Sequence, residues 1–93
     1  MTAAVRVRLR VTGRVQGVGF RWFVRDAGRR LALAGTVRNE PDGAVMLEAS
    51  GPTEAIAELR RLVARGPDGA HVAAIEELVP GADDLPMPFG VVR

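Results

Sequence analysis

Gly13-Arg14-Val15-Gln16-Gly17-Val18-Gly19-Phe20-Arg21 holds three glycines within seven positions and joins two segments of different periodicity. Upstream, Val5-Arg6-Val7-Arg8-Leu9-Arg10-Val11 alternates apolar and basic residues, the period-two pattern of a strand with one buried face. Downstream, Phe20, Val24, Ala27 and Leu31 recur at i, i+4, i+7 and i+11 with Phe23 beside them, which predicts an amphipathic helix of about three turns. The quoted stretch is therefore a strand–loop–helix junction. Glycines let the backbone turn sharply and let an anion approach its N–H groups with no Cβ in the way. The unpaired amides at the start of a helix add partial positive charge at the same point. Arg21, just inside the helix, brings a permanent charge with a planar fork suited to phosphate. The junction reads as an oxyanion cradle, with phosphate as the leading ligand.

The helix is expected to run out near Leu33-Ala34-Gly35, with Gly35 as its stop. Phe20, Phe23 and Trp22 are expected in the core, and Gly28 costs the helix roughly 1 kcal/mol against Ala. Thr36-Val37-Arg38-Asn39 and Ala44 through Ser50 read as two strands joined by Glu40-Pro41-Asp42-Gly43. In that turn Pro presets φ and Gly takes the positive-φ position, so the pair is a hairpin. Pro52 suits the first turn of a second helix, whose apolar stripe is Ala55, Ile56, Leu59, Leu62 and Val63. His71 through Val79 is a further extended segment. Pro80 through Pro88 is a loop, and Phe89 through Arg93 a short edge strand. The order β-α-β-β-α-β, with a possible fifth strand, predicts a ferredoxin-like α+β sandwich: an antiparallel sheet of four to five strands with two helices on one face. Residues 1–93 are expected to form a single domain.

Composition narrows the chemistry. The 93 residues include 13 basic and 11 acidic side chains, a net charge of +2, and every basic residue is Arg. That balance is small for a nucleic-acid footprint. Arg6, Arg8 and Arg10 read as a solvated sheet face, and no aromatic residue lies in their strand to stack on a base. With no cysteine and one histidine, there is no thiolate nucleophile and no zinc-type ligand set. Glu76-Glu77 and Asp83-Asp84 are adjacent pairs that read as surface, and His71 as a structural or surface residue. No leader-like or membrane-spanning apolar run occurs, so a soluble, cytoplasmic protein is expected. The glycine loop is not a P-loop, since no Gly-Lys-Ser/Thr follows it. Trp22 stands where a dinucleotide fingerprint needs its third glycine. What remains suits a reaction with a good leaving group, driven by orientation and charge stabilisation. Water attack on a phosphoryl group bearing a carboxylate is one such reaction.

The stretch from Gly13 to Arg21 resembles the signature loop of the acylphosphatases. Gly35-Thr36-Val37-Arg38-Asn39-Glu40-Pro41-Asp42-Gly43-Ala44-Val45 resembles their second signature, in the right order and at the family's separation. Gly51 and Gly66-Pro67 also fall where the family has them. The resemblance implies hydrolysis of acyl phosphates to a carboxylate and inorganic phosphate, with no metal, cofactor or phosphoenzyme. It implies phosphate binding by Arg21 and by the backbone N–H groups of Val15, Gln16, Gly17, Val18, Gly19 and Phe20. It implies that Asn39 positions the attacking water and that the substrate's own phosphate serves as base. Thr36 and Gly28 depart from residues common in the family. A small-molecule substrate, no nucleic acid, no membrane and a monomeric state are expected. A non-catalytic module that binds acyl or carbamoyl phosphate is the alternative, and an arginine-faced RNA-binding module a third reading.

Overall fold

A computed structural model describes residues 4–92. The alternating segment forms β1 (Ala4–Arg14), and the loop after it leads into α1 (Phe20–Arg30). β2 (Ala34–Asn39) and β3 (Val45–Pro52) form the hairpin, followed by α2 (Thr53–Arg65), β4 (His71–Leu78) and β5 (Gly90–Val91). The expected position of Arg93 in the last strand lies outside the described residues.

The strands form one sheet in the order β4-β1-β3-β2-β5. β1 pairs antiparallel with both β3 and β4, and β2 pairs antiparallel with β3, giving the ferredoxin-like arrangement. The expectation of a wholly antiparallel sheet is corrected at its edge, where β5 runs parallel to β2. The chain beyond β4 causes this. It touches the arginine-bearing face at Gly81, whose N–H donates to Glu48, and reaches the β2 edge where Gly35 N–H donates to the Pro86 carbonyl. It arrives there running in the direction of β2.

Val7, Leu9, Val11, Val37, Val45, Leu47 and Ala49 form the buried face of the sheet. Phe20, Val24 and Ala27 of α1 and Ile56, Leu59 and Val63 of α2 close over it. Each large apolar side chain buried in this way contributes roughly 1.5–3 kcal/mol. Such packing outweighs the weak local signals of α1, which has an internal glycine and no side-chain cap at its start. Three expectations about α1 change. Trp22 is not core but 47% exposed, because it lies off the Phe20–Val24–Ala27 stripe. The helix stops at Arg30 rather than near Gly35. Ala32 takes the left-handed position at φ 56°, while Ala32 N–H bonds Arg29 O and Leu33 N–H bonds Gly28 O, the paired bonds of a Schellman end. Gly35 instead lies inside β2, and its lack of a side chain makes room for the Phe89 ring. Likewise Pro52 is not in the first turn of α2 but is its N-cap, closing β3.

Candidate phosphate-binding site

The register places the site. Val11 lies opposite Val45, and Val45 opposite Asn39. The exit of β1 and the last residue of β2 therefore share one end of the sheet. Buried Val15 and Phe20 fix the two ends of the loop, while Gly17 and Gly19 at its tip are exposed. Both glycines have left-handed φ, 77° and 76°, a conformation that strains other L-residues. Gly19 is the N-cap of α1, whose first turn carries no acidic residue. The first bond of the helix runs from Phe23 N–H to Gly19 O. Among the described residues, nothing accepts a hydrogen bond from the amides of residues 15–19. A run of free amides at a helix start is favourable ground for an anion.

Gln16 contributes something the sequence did not signal. Its Nε2 donates to the Glu40 carbonyl at 2.8 Å and to the Ala44 carbonyl at 3.0 Å. The side chain thus straps the glycine loop to the hairpin turn that follows Asn39. The turn closes through Glu40 N–H to Ala44 O and Gly43 N–H to Glu40 O. Asp42 Oδ1 accepts from Ala44 N–H at 3.1 Å. That bond, with the Arg10 ion pair, holds the Asp42 carboxyl below its ordinary pKa. Beside this fastened turn, Asn39 Oδ1 is buried with no hydrogen-bond partner among the described residues. A buried acceptor left unpaired costs about 1–3 kcal/mol, and such an exception calls for a role.

Arg21 is half-buried and lines a groove with Trp22, Arg25, Arg29, Gly90 and Val91. Among the described residues it has no carboxylate partner. The other charged groups have different settings. His71 is exposed at the start of β4. Glu76, Glu77, Asp83 and Asp84 are exposed, and Glu77 pairs with Arg60 at 2.7 Å. No group of three or more potential metal ligands gathers among the described residues. Arg6, Arg8 and Arg10 differ from the expected solvated face. Arg6 and Arg8 reach the Glu48 carboxylate at 2.7 and 2.9 Å, and Arg10 pairs with Asp42. The alternation of β3 placed Glu48 on that face in the sequence, but its partners depended on the β1–β3 register. No helix is long and apolar enough to cross a membrane among the described residues.

Several known proteins are similar to this chain. A family model described as Acylphosphatase matches residues 7–84. A protein of Salinibacter ruber named acylphosphatase is 55% identical over 71 residues, 76% of this chain and 75% of that one. One of Rhizobium etli with the same name is 44% identical over 85 residues, covering 91% and 90%. The crystal structure of acylphosphatase from Bacillus subtilis superimposes with a TM-score of 0.88 at 34% identity, covering 98% of this chain and all of that one.

Proposed function

The chain belongs to the acylphosphatase family, and from that premise we infer that it hydrolyses acyl phosphates to a carboxylate and inorganic phosphate. The amides of Val15, Gln16, Gly17, Val18, Gly19 and Phe20 receive the non-bridging phosphoryl oxygens, and the Arg21 guanidinium adds full charge. Asn39 Oδ1 accepts a hydrogen bond from the attacking water and holds it in line with phosphorus. The water oxygen bonds phosphorus as the bond to the acyl oxygen breaks, and its electron pair leaves on the carboxylate. The water's proton passes to a phosphoryl oxygen, so no side-chain base is needed. In the loose transition state of phosphoryl transfer, charge lies on the non-bridging oxygens, where preorganised amides and a guanidinium act most strongly. The observation that carries this reading is the buried, unpaired Asn39 Oδ1 beside a loop of free amides. The reaction requires no metal, and the groups named for it come from one chain, so a monomer suffices for catalysis. Acyl phosphates are labile anhydrides, which favours a cytoplasmic enzyme acting where they are made.

Phosphate release from benzoyl phosphate tests this reading. Activity is expected to persist in EDTA. Arg21→Ala should lower kcat/KM at least about 10³-fold. Asn39→Ala should lower kcat about 10²-fold with little change in KM, since it removes an interaction with the water and not with the ground-state phosphate. Circular dichroism should show both variants folded. Full activity in either variant would remove that residue from the mechanism.

A further inference from the structure

The groove beyond Arg21 is more basic than phosphate binding requires. Arg21, Arg25 and Arg29 recur every fourth residue along one face of α1 and line it together, with Trp22 and the β5 backbone at Gly90 and Val91 as the remaining walls. Successive arginines stand about 6 Å apart along the helix axis. Both outer guanidiniums are held in place. Arg29 Nε donates to the Phe89 carbonyl at 2.8 Å. The Arg25 guanidinium carbon lies 4.6 Å from the centre of the Trp22 ring, and its Nε and one Nη donate to Asp26 Oδ1 at 3.0 and 2.8 Å. Asp26 is the one carboxylate that pairs with these three arginines among the described residues. The groove therefore keeps a positive excess, and ordering its cations demands little further conformational entropy on binding. It also begins at the residue that holds the phosphate.

We propose that this groove is the subsite for the acyl half of the substrate and that it selects acyl phosphates carrying a second anionic group, received by Arg25 about one helical turn from Arg21. The proposal rests on the acylphosphatase reading above. The Trp22 ring braces the Arg25 guanidinium, and the β5 edge keeps the acyl chain along the helix. A neutral acyl phosphate still reacts, because the phosphate site is complete without the groove, but it forgoes the attraction to Arg25.

A matched pair of rigid substrates tests this. 4-Carboxybenzoyl phosphate carries a carboxylate across the ring from the reacting carbonyl. 4-Carbamoylbenzoyl phosphate has nearly the same shape without the charge, and its stronger electron withdrawal is common to every variant, so it cancels when their ratios are compared. The parent protein should favour the carboxylate about fivefold in kcat/KM at low ionic strength, the scale of a partly exposed ion pair, and the preference should fade as salt is added. Arg25→Gln should bring the ratio close to one. Arg30→Gln, which removes an equal charge from an exposed position of the same helix outside the groove, should leave the parent ratio intact. Equal turnover of the two substrates by the parent would overturn the proposal, as would a ratio that falls equally in both variants, which would report net charge alone. If neither substrate is hydrolysed, the acylphosphatase reading fails and the subsite fails with it.

Discussion

Ala32 ends α1 with φ at 56°, in the left-handed region. An L-residue pays about 1–2 kcal/mol for that conformation, and glycine avoids the penalty at some cost in unfolded-chain entropy. Ala32→Gly is therefore expected to stabilise the protein by about 0.5–1 kcal/mol, read as a higher denaturant midpoint with unchanged turnover. Gly28 behaves in the opposite way. A Cβ there would lie 2.4 Å from Phe89 Cδ2, so the gain of about 1 kcal/mol in helix propensity meets an overpacking cost of about 1–3 kcal/mol. Gly28→Ala should lower stability in the parent. In a Phe89→Leu background, where the ring is gone, the same change should be neutral or favourable. Equal effects in the two backgrounds would show that the ring is not the obstacle. These two positions also mark a boundary of what the sequence reveals. Gly28 is visible as an anomaly in a helical pattern, but the side chain that requires it lies far along the chain and meets it only after the C-terminal segment has rounded the sheet edge. Gly35 reads locally as a helix stop for the same reason, since only tertiary contact shows the ring it accommodates.

Between elements, the decisive link is the strap from Gln16 to the hairpin turn. The loop and α1 are one local unit, and Asn39 belongs to another, so in-line geometry depends on their relative position. Glu40 O and Ala44 O each keep a backbone donor when the strap is cut, so Gln16→Ala should cost less than about 1 kcal/mol of stability. Its effect should fall on the geometry between phosphate and water. Displacements of that kind cost catalysis heavily. The expected result is a fall in kcat of about tenfold or more, with a smaller change in KM and in competitive inhibition by inorganic phosphate. A variant that lost phosphate affinity while keeping kcat would make the Gln16 side chain, and not only its backbone amide, part of the anion site and would remove its positioning role. The loop and Arg21 can be singled out as candidates because they sit in a local pattern, strand to glycine loop to helix, whereas Asn39 is singled out only by the resemblance of its hairpin to the family's second signature. The Gln16 bonds were not legible, because nothing in the spacing of residues 13–21 says which way that side chain turns. Trp22 was misplaced for a related reason: adjacent aromatics at a helix start look alike in sequence, and only the 100° step between them separates core from groove.

Across the whole molecule, Glu48 joins the sheet to the segment that completes the groove. It is 7% exposed, yet it takes bonds from Arg6, Arg8 and the Gly81 N–H. Beyond Gly81 the chain goes on to place Phe89 beneath α1 and β5 against β2. Burial alone pushes the Glu48 carboxyl pKa up, but the bonds from Arg6, Arg8 and Gly81 outweigh it and hold the group below its ordinary value of 4.5. Above pH 4.5 both folded and unfolded chains carry the ionised carboxylate, and its stabilisation is fully present. As the pH falls below that value, the unfolded chain takes up the proton first, and the contribution is lost through the depressed folded-state pKa. Glu48→Gln leaves Arg6 and Arg8 without their shared anion, and should cost about 2 kcal/mol at pH 7, less than a fully buried pair because both guanidiniums are partly solvated. In acid the parent's carboxyl becomes neutral like the amide, so the gap between parent and variant should close towards pH 3. Both proteins keep the acid dependence that comes from Asp42, whose carboxyl is also held low. Denaturant titrations at pH 7, 5, 4 and 3 measure the gap directly. A gap that stayed constant down to pH 3 would mean that Glu48 acts through packing, and that the charge in this cluster contributes nothing to holding the C-terminal segment across the sheet.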